Sequence, residues 1–427
     1  MKKTLRYGLL VLLSCAGLAW AQDSDLSADI TVWSWDIAAE ALEALVPGFN
    51  ELYPNVSVTV RDLGNDPTFE RGLAGCAAGG IDMPDVYSVE NNEAEIFWAR
   101  FPDCFVDLVS LGADDMRADF PDFKWTELTV GDSVFAMPWD AGPVVMFYRR
   151  DLYEQAGIDA DSIETWADFI AAGEAMLEAT DGQVRMGTIA QGDDDEWFRM
   201  LANQAGCFYF DDEGTSVTIN QPGCVLALET IAALMEAGVL AVGGWNEQIQ
   251  LFQASRTATA MFGAWYEGTI RTNAPDQEGL WGVFPMPAFE AGGVRAANLG
   301  GSALAIPSSS TNQEAAWAFV SYALGTAEGQ VTMLESFGLV PSFLPALDDP
   351  FIAEPQAFWG DQAIWETVLS TLADVPQARG TQFFQEARDI MIRTQSNFLA
   401  GQFDSAQAAL DAAAQQISNA TGLPIAD

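Results

Sequence analysis

The sequence predicts an α/β protein with two domains. Residues 29–60 read as a strand, an amphipathic helix and a second strand, which predicts parallel strands joined by a right-handed crossover. The chain has 427 residues, and 49% of them are hydrophobic, including 14 Trp and 26 Phe. This composition excludes a disordered chain, while the length exceeds what one hydrophobic core usually supports. We therefore expect two domains, each with its own core.

The first 21 residues have the pattern of a secretory signal peptide. A basic start, a short apolar run and the ending AWA at residues 19–21 predict cleavage after Ala21. Cys15 in the stretch LLSC offers a competing interpretation as the lipid-attachment cysteine of a bacterial lipoprotein, but this lipobox is imperfect. We expect a protein that is exported to the periplasm or the extracellular space without a lipid anchor.

The elements that follow continue the α/β pattern. Pro47 interrupts the apolar stripe of the first helix and is expected to kink or restart it. Thr165 and Asp168 have the spacing of a capping box, which predicts the start of a helix there. Helical spacing places Trp166 and Trp317 in the core. The other predicted elements are strands at 56–60, 83–90, 144–148 and 257–264, a hairpin at 208–219, and helices at 311–324 and through most of 328–427.

Four cysteines follow the signal peptide: Cys76, Cys104, Cys207 and Cys224. An even number of cysteines in an exported chain favours disulfides over thiol chemistry. The sequence contains no CxxC pair, which argues against a zinc or redox site. We predict the two local pairs, Cys76 with Cys104 and Cys207 with Cys224. The second pair brackets the predicted hairpin.

The charge and the missing residue types exclude several functions. A formal net charge of −43 makes the chain repel nucleic acid and anionic membranes. We interpret the acidity as a solvated surface, with a cationic ligand as the alternative. The chain has no histidine, so Ser-His-Asp and Cys-His mechanisms are impossible, and we predict no metal centre or other cofactor. Chemistry that needs only carboxylates, as in glycoside hydrolases, stays open.

Aromatic and acidic side chains together end four predicted strands. In open α/β sheets, ligands bind beyond the carboxyl ends of the strands. A sugar ring stacks its apolar face on an indole, and its hydroxyls donate hydrogen bonds to carboxylates. These four ends therefore predict a sugar site. They are Trp33/Trp35/Asp36, Glu90/Asn91, Trp139/Asp140 and Trp265/Tyr266/Glu267.

Stretches such as ITVWSW, FNELYPNVSV, MPWDAGPVVMFYRRDLYEQAGI, AMFGAWYEG and NLGGSALAIPSSSTNQEAAWAFVSY follow one another along the chain. In this order the sequence resembles the extracellular solute-binding proteins of the maltose- and sugar-binding family, the receptors of ABC importers. The resemblance implies a two-lobed fold of the type II periplasmic-binding-protein kind, in which each lobe is a sheet flanked by helices. It also implies a receptor without catalytic residues, whose partners are a small sugar and a membrane permease. We expect a monomer.

The resemblance implies a hinge that the chain crosses three times, near residues 140–143, 285–287 and 325–328. Lobe one would comprise residues 22–141 and 288–327, and lobe two would comprise residues 142–287 and 328–427. The sugar would lie in the cleft between the lobes, which close over it by rotation about the hinge.

The resemblance also implies which residues contact the sugar. Trp35 and Asp36 would face it from lobe one, and strand alternation would place Trp33 on their face. Trp139 and Asp140 lie nearer the hinge, where a structural role and a ligand contact both stay open. The remaining expected ligand-binding residues are Glu90, Asn91, Trp245, Trp265, Glu267, Asn298, Gly301, Trp359 and Gln362.

Two other functions use the same residues. An exported glycoside hydrolase would need two of the carboxyl groups about 5–10 Å apart, one of them with a raised pKa. A polyamine receptor would use the carboxylates, but it makes less use of the Asn- and Gly-rich segments. A product assay separates the first alternative from a receptor, and a ligand screen separates the second.

Overall fold

A computed structural model describes residues 25–126, 128–376 and 381–426. The predicted signal peptide, its cleavage site and Cys15 lie outside these residues. None of the helices in the described part of the chain combines the length and the apolar character that a membrane span requires.

The described residues form fourteen β-strands and fifteen α-helices, joined in places by short 3-10 helices. The strands are β1 Ala28–Ser34, β2 Val56–Asp62, β3 Val86–Glu90, β4 Thr129–Val130, β5 Ser133–Val134, β6 Ala136–Pro138, β7 Asp140–Ala141, β8 Val144–Arg149, β9 Gly187–Ile189, β10 Leu240–Val242, β11 Thr259–Gly263, β12 Trp281–Pro285, β13 Ser302–Ala305 and β14 Val340–Pro341. The helices are α1 Asp36–Leu52, α2 Asn65–Ala77, α3 Asn91–Arg100, α4 Asp122–Thr126, α5 Arg150–Ala156, α6 Trp166–Ala179, α7 Glu196–Gln204, α8 Pro222–Glu236, α9 Trp245–Gln253, α10 Tyr266–Asn273, α11 Gln313–Leu324, α12 Ala327–Phe337, α13 Ile364–Leu372, α14 Phe384–Leu399 and α15 Ala406–Thr421.

A five-stranded sheet in the order β2-β1-β3-β13-β6 forms the centre of lobe one. The predicted strand–helix–strand unit is confirmed, because β1 runs parallel to β2 and also to β3. Helix α1 joins β1 to β2 and buries Leu42, Leu45 and Phe49 on one face. Pro47 lies inside α1, which continues to Leu52, so of the two expected outcomes, a kink or a restart, the restart does not occur.

Lobe two is built around the antiparallel sheet β11-β8-β12 and the parallel pair β10-β9. The predicted capping box starts α6: Thr165 Oγ1 accepts from Asp168 N at 3.2 Å, and Asp168 Oδ2 accepts from Thr165 N at 2.9 Å. Trp166 and Trp317 are buried, as helical spacing predicts, in the cores of lobe two and lobe one respectively. Each lobe thus has its own hydrophobic core.

The chain first leaves lobe one between Ala141 and Val144, where β7 gives way to β8. The second crossing was predicted at residues 285–287, but residues 286–297 remain packed on lobe two. Ala288 forms an isolated β-bridge with Thr165, and Gln204 Nε2 donates to the carbonyl oxygens of Pro287 and Val294, both at 2.7 Å, so this irregular segment is bonded to lobe two on both sides. The chain returns to lobe one only at residues 298–301.

The third crossing also differs from the prediction, which placed it at residues 325–328. Helix α12 packs against α1 and α11, and Met333 belongs to the core of lobe one. Ala346 is still part of that core, whereas Ile352 belongs to the core of lobe two. Leu334 and Val340 already contact the core of lobe two, but the chain leaves the core of lobe one only between Ala346 and Ile352, because most of the apolar face of α12 packs on lobe one.

Both predicted disulfides are confirmed. Cys76 bonds to Cys104, and Cys207 bonds to Cys224; the Cα atoms of each pair lie 5.4 Å apart. Cys76 and Cys104 belong to the core on one face of the five-stranded sheet in lobe one. The second bond ties the start of α8 to the segment that precedes the β-bridge between Phe210 and Val217.

Removing either disulfide should destabilise the fold through the entropy of the unfolded chain. The bonds close loops of 28 and 17 residues, for which chain-entropy arguments give about 3–4 kcal/mol each. We expect the double variants Cys76→Ser/Cys104→Ser and Cys207→Ser/Cys224→Ser each to lower the free energy of unfolding in urea by about this amount. An unchanged denaturation midpoint in either double variant would contradict the prediction.

Candidate functional site

A cavity of about 1030 Å³ lies between the two lobes. The lobes also touch each other directly: Gln385 Nε2 of lobe two donates to Glu93 Oε1 of lobe one at 2.6 Å, and Arg100 forms an ion pair with Glu386 at 3.2 Å. Both lobes therefore line the cavity and contact each other in this conformation.

Lobe one contributes the residues that follow its parallel strands. Trp35 and Asp36 come directly after β1, and Glu90 ends β3 at the same edge of the sheet. Asp36 has a positive φ of 40°, which is uncommon for a residue other than glycine, and its backbone N–H donates to Asp62 Oδ1 at 3.1 Å. The turn after β1 thus directs the chain into α1 while both side chains stay at the cavity.

Lobe two contributes an aromatic wall. The rings of Trp245 and Trp265 stack with their centroids 6.2 Å apart and an interplanar angle of 28°. Trp245 is 44% exposed, which is a large exposed fraction for an indole that lines a cavity. Phe262 and Tyr266 meet Trp245 edge-on and support it from behind. The wall offers a rigid apolar surface to a flat ligand face.

Several cavity carboxyl groups are paired with amide side chains. Glu90 Oε1 accepts from Asn65 Nδ2 at 2.8 Å, and Glu196 Oε1 accepts from Gln248 Nε2 at 3.0 Å. The pair of Glu93 and Gln385 repeats this pattern across the cleft. A neutral amide satisfies one carboxyl oxygen without neutralising the charge, so the second oxygen can still accept from a ligand hydroxyl.

Burial raises the pKa values of these carboxyl groups. The pKa of Glu93 rises to about 8, through burial and the neighbouring charge of Glu90. The pKa of Glu196 rises to about 7, through burial and the charge of Asp194. Burial and Asp62 likewise raise the pKa of Asp36. Near neutral pH Glu93 and Glu196 can exist in both forms, which lets them donate as well as accept hydrogen bonds.

Two arginines of lobe two also line the cavity, and both are held by aspartates. Arg199 pairs with Asp194 at 3.1 Å and with the fully buried Asp195 at 2.9 Å, and Arg388 pairs with Asp194 at 2.5 Å. Although burial opposes the effect, the two guanidinium groups lower the pKa of Asp194. The network fixes the start of α7 against α14.

The structure brings seven of the thirteen expected ligand-binding residues to the cavity. Trp139, for which a structural role stayed open, also lines it, although its side chain is almost wholly buried. The seven are Trp35, Asp36, Glu90, Asp140, Trp245, Trp265 and Gly301. The six that do not line it are Trp33, Asn91, Glu267, Asn298, Trp359 and Gln362.

Trp33 does not share a face with Trp35. Strand β1 ends at Ser34, and the chain then turns into α1, so strand alternation does not extend to residue 35. Trp33 packs with Tyr87 and Cys76 on one face of the sheet, whereas Trp35 packs against the core on the other face. This corrects the expectation that the two indoles meet the same ligand.

Three of the expected ligand-binding residues, Glu267, Trp359 and Gln362, do not line the cavity. Their side chains form hydrogen bonds and ion pairs within lobe two. Trp359 is buried and donates from Nε1 to Glu267 Oε1 at 3.0 Å, and Arg271 pairs with the same carboxylate at 3.2 Å. Gln362 Oε1 accepts from Arg150 at 2.8 Å. These side chains stabilise the inside of lobe two.

The remaining two lie at the hinge. Asn298 Oδ1 accepts from Gly142 N at 3.0 Å, and its Nδ2 donates to Gly300 O at 2.8 Å. Asn91 N donates to Gly301 O at 3.0 Å. These bonds join the first two crossings to each other and to α3.

Sequence reasoning missed most of the polar residues in the cavity wall. Several belong to the run DDDEWFR at residues 193–199, which shows no strand-end pattern, and others lie on α14, whose side chains reach the cavity only through tertiary packing. In the described residues, no group of three or more acidic or cysteine side chains is arranged to hold a metal ion. The missed polar residues are Glu40, Asp62, Asn65, Asp66, Asn92, Glu93, Asp193, Asp194, Glu196, Arg199, Thr269, Thr272, Asn273, Ser302, Gln385 and Arg388.

The raised pKa values predict that the protein becomes less stable as the pH rises. With folded-state pKa values of about 8 and about 7 against an ordinary 4.5, Glu93 and Glu196 bind protons that the unfolded chain has lost. Their contribution is complete below about pH 4.5 and is lost as the pH rises through 7 and 8. We expect the melting temperature to fall between pH 5 and pH 8.5, and Glu93→Gln and Glu196→Gln each to reduce this fall.

Glu40→Gln is the matched control, because Glu40 lines the same cavity but its side chain is exposed. This variant should keep the pH dependence of the wild type. Equal pH dependence in Glu93→Gln, Glu196→Gln and the wild type would contradict the prediction.

Comparison with known proteins agrees with this geometry. The chain is 28% identical over 364 residues to a lactose-binding protein of Rhizobium radiobacter, which is 82% of this chain and 83% of that protein. It is 26% identical over 346 residues to an arabinooligosaccharide-binding protein of Bacillus subtilis, which is 78% of each chain.

The fold matches solved binding proteins over nearly their whole length. A binding protein associated with an ABC transporter of B. animalis subsp. lactis, solved in complex with β-1,6-galactobiose, has a TM-score of 0.79 and 22% identity, covering 94% of this chain and all of that one. The GacH receptor of Streptomyces glaucescens also has a TM-score of 0.79, with 21% identity, and the match covers 92% of this chain and 98% of that receptor. The predicted two-lobed fold is thereby confirmed. Residues 34–330 match the sequence model of the bacterial extracellular solute-binding protein family, so the chain belongs to this family.

Proposed function

We propose that this protein binds a sugar of more than one ring in its cleft and delivers it to the permease of an ABC importer. One observation carries the proposal: a stacked pair of exposed and half-buried indoles, Trp245 and Trp265, faces carboxyl and amide groups across a cavity between two lobes. Sugars combine an apolar ring face with a rim of hydroxyls, and this wall matches both parts.

The polar side of the cleft suits hydroxyl groups. Asp36 and Glu90 from lobe one, together with Glu196 from lobe two, line the cavity. Asp36 and Glu90 offer carboxyl oxygens that accept from ligand hydroxyls, and Glu196, whose pKa burial raises to about 7, can also donate to a hydroxyl when it is protonated. Groups from both lobes can thus bind one ligand at once, which favours closure of the lobes over it.

The size of the cavity supports an oligosaccharide. Pockets that bury a drug-sized ligand measure about 300–1,000 Å³, and a single sugar ring is smaller than such a ligand. At about 1030 Å³, the cleft has room for more than one ring. The relatives that bind lactose and arabinooligosaccharides support the same ligand class for this chain.

Transport requires no chemistry from the protein. Family members are carriers and not enzymes, so the alternative of a glycoside hydrolase is not favoured. The proposed route is export by the predicted signal peptide, capture of the sugar by the monomeric protein, and recognition of the closed form by the permease. We propose no nucleic-acid partner, because the large negative charge of the protein repels nucleic acid.

A thermal-shift screen tests the proposal. The panel contains lactose, maltose, galactobiose, arabinobiose, glucose and spermidine, because a ligand that binds only the folded state raises the melting temperature. We expect at least one disaccharide to raise it more than glucose does. A shift with spermidine alone would favour the polyamine alternative, and release of monosaccharide from the bound sugar would favour the hydrolase.

Trp35 and Asp36 should contribute to affinity but little to stability. Losing a ring stack or a hydrogen bond to a carboxylate costs about 1.5–3 kcal/mol, which is about one to two orders of magnitude in affinity. We expect Trp35→Ala and Asp36→Ala to weaken binding of the best sugar by this factor in calorimetry. The melting temperature of the unliganded protein should change little.

Trp317→Ala is the control for a buried indole. Trp317 lies in the core of lobe one, away from the cavity, so its removal should lower the free energy of unfolding by about 3–5 kcal/mol. The sugar affinity of the folded protein should be unchanged. Unfolding of Trp35→Ala, with affinity retained in whatever stays folded, would assign Trp35 to the core instead of the site.

A further inference from the structure

Trp265 lies where the two lobes and the cavity meet. Among the partly buried hydrophobic side chains of the described residues, it alone packs against the cores of both lobes. It also lines the cavity and stacks on Trp245. One indole therefore contacts lobe one, lobe two and the space for the ligand.

The edge of the same indole is bound to the hinge. Trp265 Nε1 donates to the backbone carbonyl of Leu299 at 2.8 Å, and Leu299 lies in the second crossing. The residue before it, Ala264, donates its backbone N–H to Pro143 O of the first crossing at 2.9 Å. The segment Gly263-Ala264-Trp265 thus holds both crossings.

Glycine at position 263 makes the bond to Leu299 possible. A Cβ atom at Gly263 would lie 2.4 Å from Trp265 Nε1 and 2.5 Å from Leu299 O, which is between the donor and the acceptor. Gly263 is not among the residues that line the cavity. A methyl group there would separate the indole from the hinge without entering the ligand site.

We propose that Trp265 couples occupation of the cleft to closure of the lobes. The proposal rests on the proposed function for the ligand, and on the hinge bond for the mechanism. The face of the indole binds the ligand, and its N–H holds the second crossing, residues 298–301, in the position that it has when the lobes are closed. A ligand that fixes the ring against Trp245 therefore favours the conformation in which Trp265 Nε1 reaches Leu299 O.

Two variants remove the hinge bond in different ways. Trp265→Phe keeps an aromatic ring but loses the N–H, and Gly263→Ala keeps the indole but displaces it from Leu299. Trp317→Phe is the matched control, since Trp317 does not line the cavity and its Nε1 has no hydrogen-bond partner in the described structure, so this Trp-to-Phe change removes no hydrogen bond. Far-UV circular dichroism establishes that each variant is folded.

Distances between spin labels at Glu43→Cys on α1 and Glu229→Cys on α8, both exposed positions, report lobe closure. Losing one neutral hydrogen bond should lower the ratio of closed to open molecules about two- to ten-fold in both Trp265→Phe and Gly263→Ala. Trp317→Phe should keep the distances of the wild type, both without ligand and with an excess of the sugar that gives the largest thermal shift.

The outcomes separate the two proposals. Wild-type distances in both hinge variants, with and without sugar, would overturn the role of Trp265. A change in Trp265→Phe but not in Gly263→Ala would also overturn it, because the ring and not its bond to Leu299 would then be responsible. If both variants open but no sugar in the panel binds the wild type, the hinge role stands and the sugar assignment falls.

Discussion

The hydrogen bonds between the first two crossings are the constraint on which the site depends. Leu299 N donates to Gly142 O at 2.8 Å, and Gly142 N donates back to Asn298 Oδ1 at 3.0 Å. Any side chain at Gly142 would break this contact, because a Cβ there would lie 2.1 Å from Leu299 O. Ser302 N extends the contact by donating to Asp140 Oδ1 at 2.8 Å. The first two crossings, bonded to each other in this way, set the positions of both walls of the cavity.

Charge is distributed so that the cleft stays acidic inside an acidic protein. The cationic groups near it are committed to the protein: Arg199 and Arg388 to Asp194, and the buried Lys124 to the neighbourhood of Asp140, whose raised pKa it moderates. Three of the carboxyl groups that face the cavity, those of Glu90, Glu93 and Glu196, have amide partners instead. The arginines therefore stabilise the protein, and carboxyl oxygens remain available to the ligand. Burying these charges without a ligand carries a desolvation penalty.

Local sequence patterns determined the elements and part of the site. The parallel unit of β1, α1 and β2, the capping box of α6 and both disulfides follow from spacings within about 30 residues, where chain geometry leaves few alternatives. The rule that ligands bind beyond the carboxyl ends of strands identified Trp35, Asp36 and Glu90, since their position depends only on where β1 and β3 end.

Tertiary structure decided what depends on contacts between distant parts of the chain. Periodicity could not show that Trp33 faces away from Trp35, because the turn between them is set by the bond from Asp36 N to Asp62 Oδ1. The pairing of Arg388 with Asp194 spans 194 residues, and no local pattern encodes it. The crossings lie where segments find packing partners, on Gln204 for residues 286–297 and on α1 for α12. The sequence by itself determined most strands and helices and both disulfides, because these depend on local spacing, whereas three-dimensional packing decided which side chains meet in the cleft.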